Sequence, residues 1–578
     1  MKSFQNPFEY DAATSLSPDQ ILDFYIEDYS FSRFLQSTRN VFLVGERGSG
    51  KTMALLYNSF AVQVKRSAST ATQSHHRLGI YVPCNTPLTH RREYELLNEF
   101  QSAVVSEHFL VLAILFSLAD TLDKIPDGLT ASEDKTLAEH YGYLLDTKLH
   151  ADVSFFKSIA MFAQREITHT QQVLNAGTAE HFYPKALTFS SAIMSLFDLI
   201  RRTKTFSSTH FMLLIDDAHY LNPLQIRALN SWIAYRDHSQ FSFKVACAKV
   251  EQPDFVTATG GSILEGHDFA LIDMEQPYQF ETSSFGRMAR QIVQRRLDRI
   301  GITKSPDNFF PVSAELQNDL EKCERVVEER ARLLYPNGPA KKIRDYVYKY
   351  ARVEYFRSRS SKANRPQYSG FETITYLSTG IIRNLLEPCY WMYDKAKSLQ
   401  NEADSTGELA FIPPTVQREI ILQRSDRLWE TVQEKLPKIV SGCSQIEARR
   451  IRNLFDNLST LFRERMLRHK SEPRANSFTI SGLTPELEKQ IFPLLRIAMR
   501  AQLLYVRSGV AKDEGKRENY YVPNRMLWPA RGLDPQGQHA RVSLKARDVL
   551  SAAFQNKSFP FVESASLIPC SDLELFQD

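Results

Sequence analysis

Cysteine is scarce in this chain of 578 residues, and none of it is paired in sequence. The six cysteines (Cys84, Cys247, Cys323, Cys389, Cys443, Cys570) are scattered, without a C-x-x-C pair. That spacing speaks against a zinc ribbon and a disulfide framework, and it fits a reducing compartment. An excess of either charge is also lacking: 71 Lys and Arg against 67 Asp and Glu leave a formal +4. Such a balance permits a nucleic-acid partner without arguing for one. The longest apolar run, FLVLAILFSLA at 109–119, falls short of the ~20 residues that span a bilayer. It reads as a buried helix. The opening MKSFQNPFEYDAA lacks the charged-then-apolar pattern of a secretory signal. From the cysteine spacing, the short apolar run and this N-terminus, a soluble, cytoplasmic protein with no membrane partner is expected; repeats and low-complexity tracts are missing too.

What is there is ordinary folded protein, 43% hydrophobic and 24% charged. Short apolar runs at 41–44, 78–84, 211–216, 241–248 and 269–274 alternate with helix-period sequence, which predicts βαβ units and a mainly parallel sheet. A helical insertion is expected around 87–205, between the second and third runs. After about 280 the strand signals fade and helices follow. A polar stretch, QNEADSTGELAFIPP at 400–414, marks a boundary. Beyond it, helices precede LLYVRSG, a charged turn and NYYVPNRML, a layout that suggests a winged helix. The expected division is an N-terminal segment 1–38, a nucleotide-binding core 39–279, a helical region 280–400, a winged-helix region 415–535 and a weakly structured tail 536–578.

One stretch carries chemistry by itself. NVFLVGERGSGKTMALL at 40–56 runs a strand-like segment into G-x-x-x-x-G-K-T. Glycines let the backbone curl so that successive N–H groups face one anion, and the helix starting near Lys51 adds its positive end. Gly45, Glu46, Arg47, Gly48, Ser49, Gly50, Lys51, Thr52 and Met53 are the candidate nucleotide-binding residues. Lys51 serves the β- and γ-phosphates catalytically, and the Thr52 hydroxyl ligates Mg²⁺. HFMLLIDDAHYL at 210–221 supplies an acidic strand end. Asp216 is the second candidate metal ligand, and Asp217 the general base that polarises the attacking water. The cofactors read from this pair of motifs are a nucleoside triphosphate, taken as ATP, and Mg²⁺.

YLSTGIIRN at 376–384 has some likeness to the signature loop of ABC-type ATPases, but that loop precedes the acidic strand and this one follows it. LSTGIIRNLLEPC instead resembles the sensor-2 segment of AAA+ proteins, with Arg383 at the matching position. From about 10 to 535 the chain resembles AAA+ ATPases of the origin-recognition and replication-initiator type. It is also similar to a bacterial branch of initiator-like ATPases, some of which work beside mobile elements or antiviral systems. The resemblance implies an α/β P-loop core, a helical lid and a C-terminal winged helix. It also implies that Arg383 is a catalytic residue coupling the γ-phosphate to the lid, and that double-stranded DNA is a partner. A homo-oligomer is a further implied state. A different class of function stays open: a STAND-like or antiviral-defence ATPase that gates a partner effector protein.

The chain departs from that family pattern in places. Asp216-Asp217 stands where Asp-Glu is usual, and a shorter carboxylate predicts slow turnover. The sensor-1 strand ends in ACAKVEQ, offering Lys249 and Glu251 instead of Asn, Ser or Thr. Arg236 and Arg287 are the positions considered for an arginine finger. The segment 447–474 holds eight Lys/Arg against four Asp/Glu, while the presumed wing 512–518 holds three of each. DNA binding and a solvated face with a protein-binding winged helix are equal readings of these charges. His75 and His76 are expected in a solvent-exposed loop, and His219 packing or capping the next helix. Tyr25, Tyr29, Phe31 and Phe34 either wall an adenine pocket or pack in the core.

Overall fold

The computed structural model describes residues 6–9, 12–27, 32–70, 76–84, 97–126, 128–150, 152–177, 185–235, 240–251, 254–275, 284–359, 366–402, 409–468, 474–510, 517–536 and 540–560. The chain divides into two compact units, one of Asp11–Glu275 and one of Met1–Tyr10 with Gln276–Asp578.

The first unit is built on five strands: β1 (Val41–Gly45), β2 (Arg77–Pro83), β3 (His210–Asp216), β4 (Phe241–Ala248) and β5 (Ala270–Asp273). Their order is β2-β3-β4-β1-β5 and every pairing is parallel. All five expected strands are present. β1, β3 and β4 are buried along their whole length, which is why they read as unbroken apolar runs instead of alternating ones. Polar anchors fix where β1 begins. Asn40 donates to Asp268 O (3.1 Å) and accepts from Phe243 N–H (3.0 Å). Buried Lys244 of β4 donates to the carbonyls of Ser37 (2.7 Å), Phe34 and Arg39.

The expected insertion contains the helices Glu99–Asp123, Ala131–Leu144 and Phe155–Asn175. The first starts in a capping box between Asn98 and Gln101, the second in one between Thr130 and Glu133. The apolar run at 109–119 lies inside a helix of 25 residues. That helix is longer than the run predicted, and by length and composition it would suffice to cross a membrane. Val111, Leu112, Ile114, Leu115 and Leu118 are fully buried in the core, each burial contributing about 1.5–3 kcal/mol over exposure. His76 Nδ1 lies 3.5 Å from Ser208 Oγ at an exposed position; His75 lies outside the described residues.

The second unit is helical up to a four-stranded sheet of β6 (Ala475–Ser481), β7 (Leu504–Val510), β8 (Arg517–Pro523) and β9 (Ala540–Lys545), ordered β7-β8-β6-β9. β7 and β8 form the expected antiparallel hairpin behind the helices Gln445–Arg468 and Pro485–Arg500. Lys512 and the rest of the turn up to 516 lie outside the described residues. The tail is a correction: residues from 540 form β9, parallel to β6, and then the helix Ala546–Gln555. Val542, Leu544, Val549, Ala552 and Ala553 are buried there, and charged residues alternating with them masked that face in the sequence. Part of the expected boundary at 400–414 is likewise packed, since Ile412 is fully buried and its N–H donates to Phe309 O at 2.8 Å.

Candidate functional site

β1 delivers its carboxyl end into the glycine turn, and the helix Lys51–Tyr57 leaves it. The turn closes only because Gly48 (φ 86°) and Gly50 (φ 100°) take left-handed backbone that a Cβ would strain. Gly45 is constrained by space: an added Cβ would meet Ser49 Oγ at 2.7 Å. Lys51 is buried, and its Nζ donates to Gly45 O (2.8 Å) and Glu46 O (3.0 Å). Burial pushes the Lys51 pKa down, and the negative charges of Asp216 and Asp217 are among those opposing the shift. Thr52 and Met53 are half-buried at the start of the helix, and Arg47 is exposed.

The parallel register explains how Asp216 and Asp217 reach Lys51. β4 lies between β1 and β3, with Val245 facing Phe42 on one side and Ile215 on the other. Asp216 therefore ends β3 on the sheet edge where β1 enters the glycine turn. It is 1% exposed, and both carboxylate oxygens accept: Oδ2 from the Tyr81 hydroxyl (2.7 Å), Oδ1 from the Asp217 N–H (2.9 Å). Burial and the neighbouring Asp216 charge push the Tyr81 pKa well up, so the phenol stays a donor. Asp217 has φ 53° at the entry of the 3-10 turn Ala218–Tyr220. A non-glycine residue held there is strained, of order 1–3 kcal/mol, and such strain gathers at functional positions. Arg47 ties the two loops together, donating to the Tyr220 hydroxyl at 3.1 Å. His219 packs its ring 4.4 Å from that of Tyr220.

Three further residues complete the site, and of these the sequence had offered only Lys249. Glu275 Oε1, just past β5, accepts the Glu46 N–H at 2.7 Å. Lys249, at the expected sensor-1 position, opens the 3-10 turn Lys249–Glu251. Its Nζ lies 2.6 Å from Asp273 Oδ2 and 3.5 Å from Glu275 Oε2. Tyr81 carried no signal beyond a hydroxyl near the end of a strand beside the acidic one. Glu275 carried only its acidity after an apolar run.

The loop fits a phosphate and its divalent cation. Ser49 Oγ is buried with no hydrogen-bond partner among the described residues, an orphan costing about 1–3 kcal/mol unless a ligand satisfies it. Among the described residues no three acidic, His or Cys side chains cluster. Mg²⁺ sites of this chemistry use one or two carboxylates and complete the shell with phosphate oxygens and water. Thr52 and Asp216 suit that role.

The remaining sequence candidates fall elsewhere. Arg383 belongs to the second unit, half-buried in the first turn of the helix Ile382–Glu402. The approach to that helix is gripped from β7 and from the 3-10 turn Arg525–Leu527 that follows β8. Arg507 of β7 donates to Thr379 O (3.0 Å), the Arg525 N–H donates to Thr379 Oγ1 (2.9 Å), and Asn384 donates to the Tyr505 hydroxyl (2.9 Å). Thr379 itself has φ 55°. Arg287 is exposed on the helix Ser284–Arg299, and Arg236 lies outside the described residues. Tyr25 is buried and stacks on Tyr57 with centroids 4.0 Å apart, a core role. Phe34 is 37% exposed, and Tyr29 and Phe31 lie outside the described residues.

The basic segment is divided. Arg450 stacks over the Phe554 ring at 3.7 Å, and Arg474 donates to Tyr348 O at 2.9 Å. Arg449, Arg452, Arg463 and Arg468 are exposed.

Solved structures similar to the chain include Cdc6p from Pyrobaculum aerophilum, at 11% identity over 91% of this chain and 96% of that one, with a TM-score of 0.29. The Aeropyrum pernix ORC1 protein in complex with DNA has 11% identity over 89% and 91%, TM-score 0.28. The Aeropyrum pernix ORC2 protein in its ADP form has 9% identity over 91% and 95%, TM-score 0.25. No curated protein sequence matches. The ORC-CDC6-like family model matches residues 6–544. With its P-loop, its acidic strand end and a family match over nearly its whole length, the chain belongs to the ORC-CDC6-like family of origin-recognition-type AAA+ ATPases.

Proposed function

We propose that this protein is an ATP-driven conformational switch, binding and slowly hydrolysing Mg·ATP. The observation that carries the reading is the convergence on one sheet edge of a buried Lys51, an orphaned Ser49 hydroxyl and the pair Asp216-Asp217. Backbone N–H groups of Gly48, Gly50, Lys51 and Thr52 bind the phosphates, and Lys51 Nζ offers its protons to them. Thr52 and Asp216 hold the magnesium ion, which when bound neutralises charge on the phosphoryl oxygens. Asp217 orients the attacking water and takes its proton on the carboxylate. Arg383 answers the γ-phosphate from the lid helix, and the C-terminal region carries the response to double-stranded DNA. The exposed Arg449, Arg452, Arg463 and Arg468 support that last step, since such a face tracks phosphates.

A second reading keeps the switch and replaces DNA with a partner effector protein, as in an antiviral-defence ATPase. It is favoured by the arginines already spent on internal packing, Arg450, Arg474 and Arg531, which stacks 3.9 Å over Trp429. ATP turnover and duplex-DNA anisotropy, each measured across a salt series with and without the other ligand, separate the two. Nucleotide-dependent binding that weakens steeply with salt supports the DNA switch. Absence of binding at low salt in both nucleotide states sinks it and leaves the protein partner.

A further inference from the structure

Asp216 is restrained more tightly than a strand end requires. Its carboxylate receives one hydrogen bond on each oxygen, from Asp217 N–H on its own strand end and from Tyr81 on the neighbouring strand. β2 and β3 pair with Tyr81 opposite Leu214 and Pro83 opposite Asp216. The tyrosine thus stands two residues back along β2 and reaches forward with its phenol. Its ring already packs against the cluster of Leu43, Ala54, Leu55 and Leu214. A phenylalanine would fill the same volume, so the hydroxyl is what needs a reason.

We propose that Tyr81 is a positioning residue for the metal-side carboxylate, locking Asp216 in one rotamer. Each carboxylate oxygen has two acceptor positions, so two donors leave one position free on each. An Asp216 fixed in this way presents those positions without first losing rotamer freedom, the service that outer-shell partners render to metal ligands. The inference rests on the reading of Asp216 as the residue that holds Mg²⁺ beside ATP.

The test uses the full-length protein and a non-hydrolysable ATP analogue. Analogue affinity is measured in EDTA and then across a Mg²⁺ titration, for wild type, Tyr81→Phe, Asp216→Asn and the double variant. Tyr81→Phe is expected to leave EDTA affinity within about twofold while raising the Mg²⁺ midpoint about tenfold, the low end of outer-shell effects. In the Asp216→Asn background the same change is expected to have no further effect. An unmoved midpoint overturns the proposal, as does an equal loss with and without Mg²⁺, which marks a general packing role. Wild type whose affinity ignores Mg²⁺ removes the reading of Asp216 beneath it, a failure seen before any variant is compared.

Discussion

The carboxylate of Glu275 grips the main chain of Glu46, accepting its N–H at 2.7 Å from the far side of β1. Lys249 bridges Glu275 to Asp273, so β4 and β5 together clasp the first turn of the phosphate loop. Glu275→Ala would take a charged acceptor away from that buried amide, at a cost of about 1.5–3 kcal/mol. Chemical denaturation should show that loss, and ATP affinity should fall with it. An unchanged denaturation midpoint would show that the clasp bears no load.

Lys51→Ala removes the side-chain cation that the carbonyls of Gly45 and Glu46 hold in the glycine turn. A charge-assisted contact of this kind is worth about 1.5–3 kcal/mol, roughly ten- to a hundredfold in affinity. Calorimetry with ATP is the measurement. Wild-type affinity and turnover in the variant would refute the assignment of the site.

Asp217→Asn keeps shape and removes the base. Binding should stay within about twofold and turnover should fall by about 10²–10⁴. Single-turnover hydrolysis separates those effects, and equal rates would strip Asp217 of its role.

His108 makes an acid-sensitive joint in the insertion. Its Nδ1 accepts the Leu187 N–H (2.9 Å) and its Nε2 meets Thr170 Oγ1 (3.2 Å), a pattern that needs a neutral ring. Burial pulls its pKa from 6.5 down to about 3. A depressed folded-state pKa means that the unfolded chain takes up the extra proton first, as pH drops below about 6.5. Stability from this residue is therefore complete above that pH and is lost progressively towards pH 3. At pH 5 the loss is about 2 kcal/mol. Thermal melts of wild type and His108→Gln should converge as the buffer is acidified; parallel curves would contradict the linkage.

Much of the first unit was legible because a buried parallel strand writes its whole length in apolar residues. β1, β3 and β4 stand where their runs predicted, and the glycine turn and the Asp pair meet at one edge. Tyr81 and Glu275 were not legible, because a hydrogen bond across strands depends on register, and no local pattern encodes register. β9 was missed for a related reason. Its apolar residues Val542 and Leu544 alternate with Arg541, Ser543 and Lys545, and the strand exists through pairing with β6, some 60 residues earlier. The lysine at 249 was visible, but its engagement with Asp273 and Glu275 was not.

The grip of Arg507 and Arg525 on Thr379 bears on how the molecule tolerates being cut. Thr379 is β-branched and sits at φ 55°, a posture that persists only while something outside the segment enforces it. A nick or a stop codon ahead of β7 would free that residue to relax, and the first turn carrying Arg383 would lose its register. Shuffling the last hundred residues between relatives should thus carry a hidden penalty at the lid, even with every upstream residue intact.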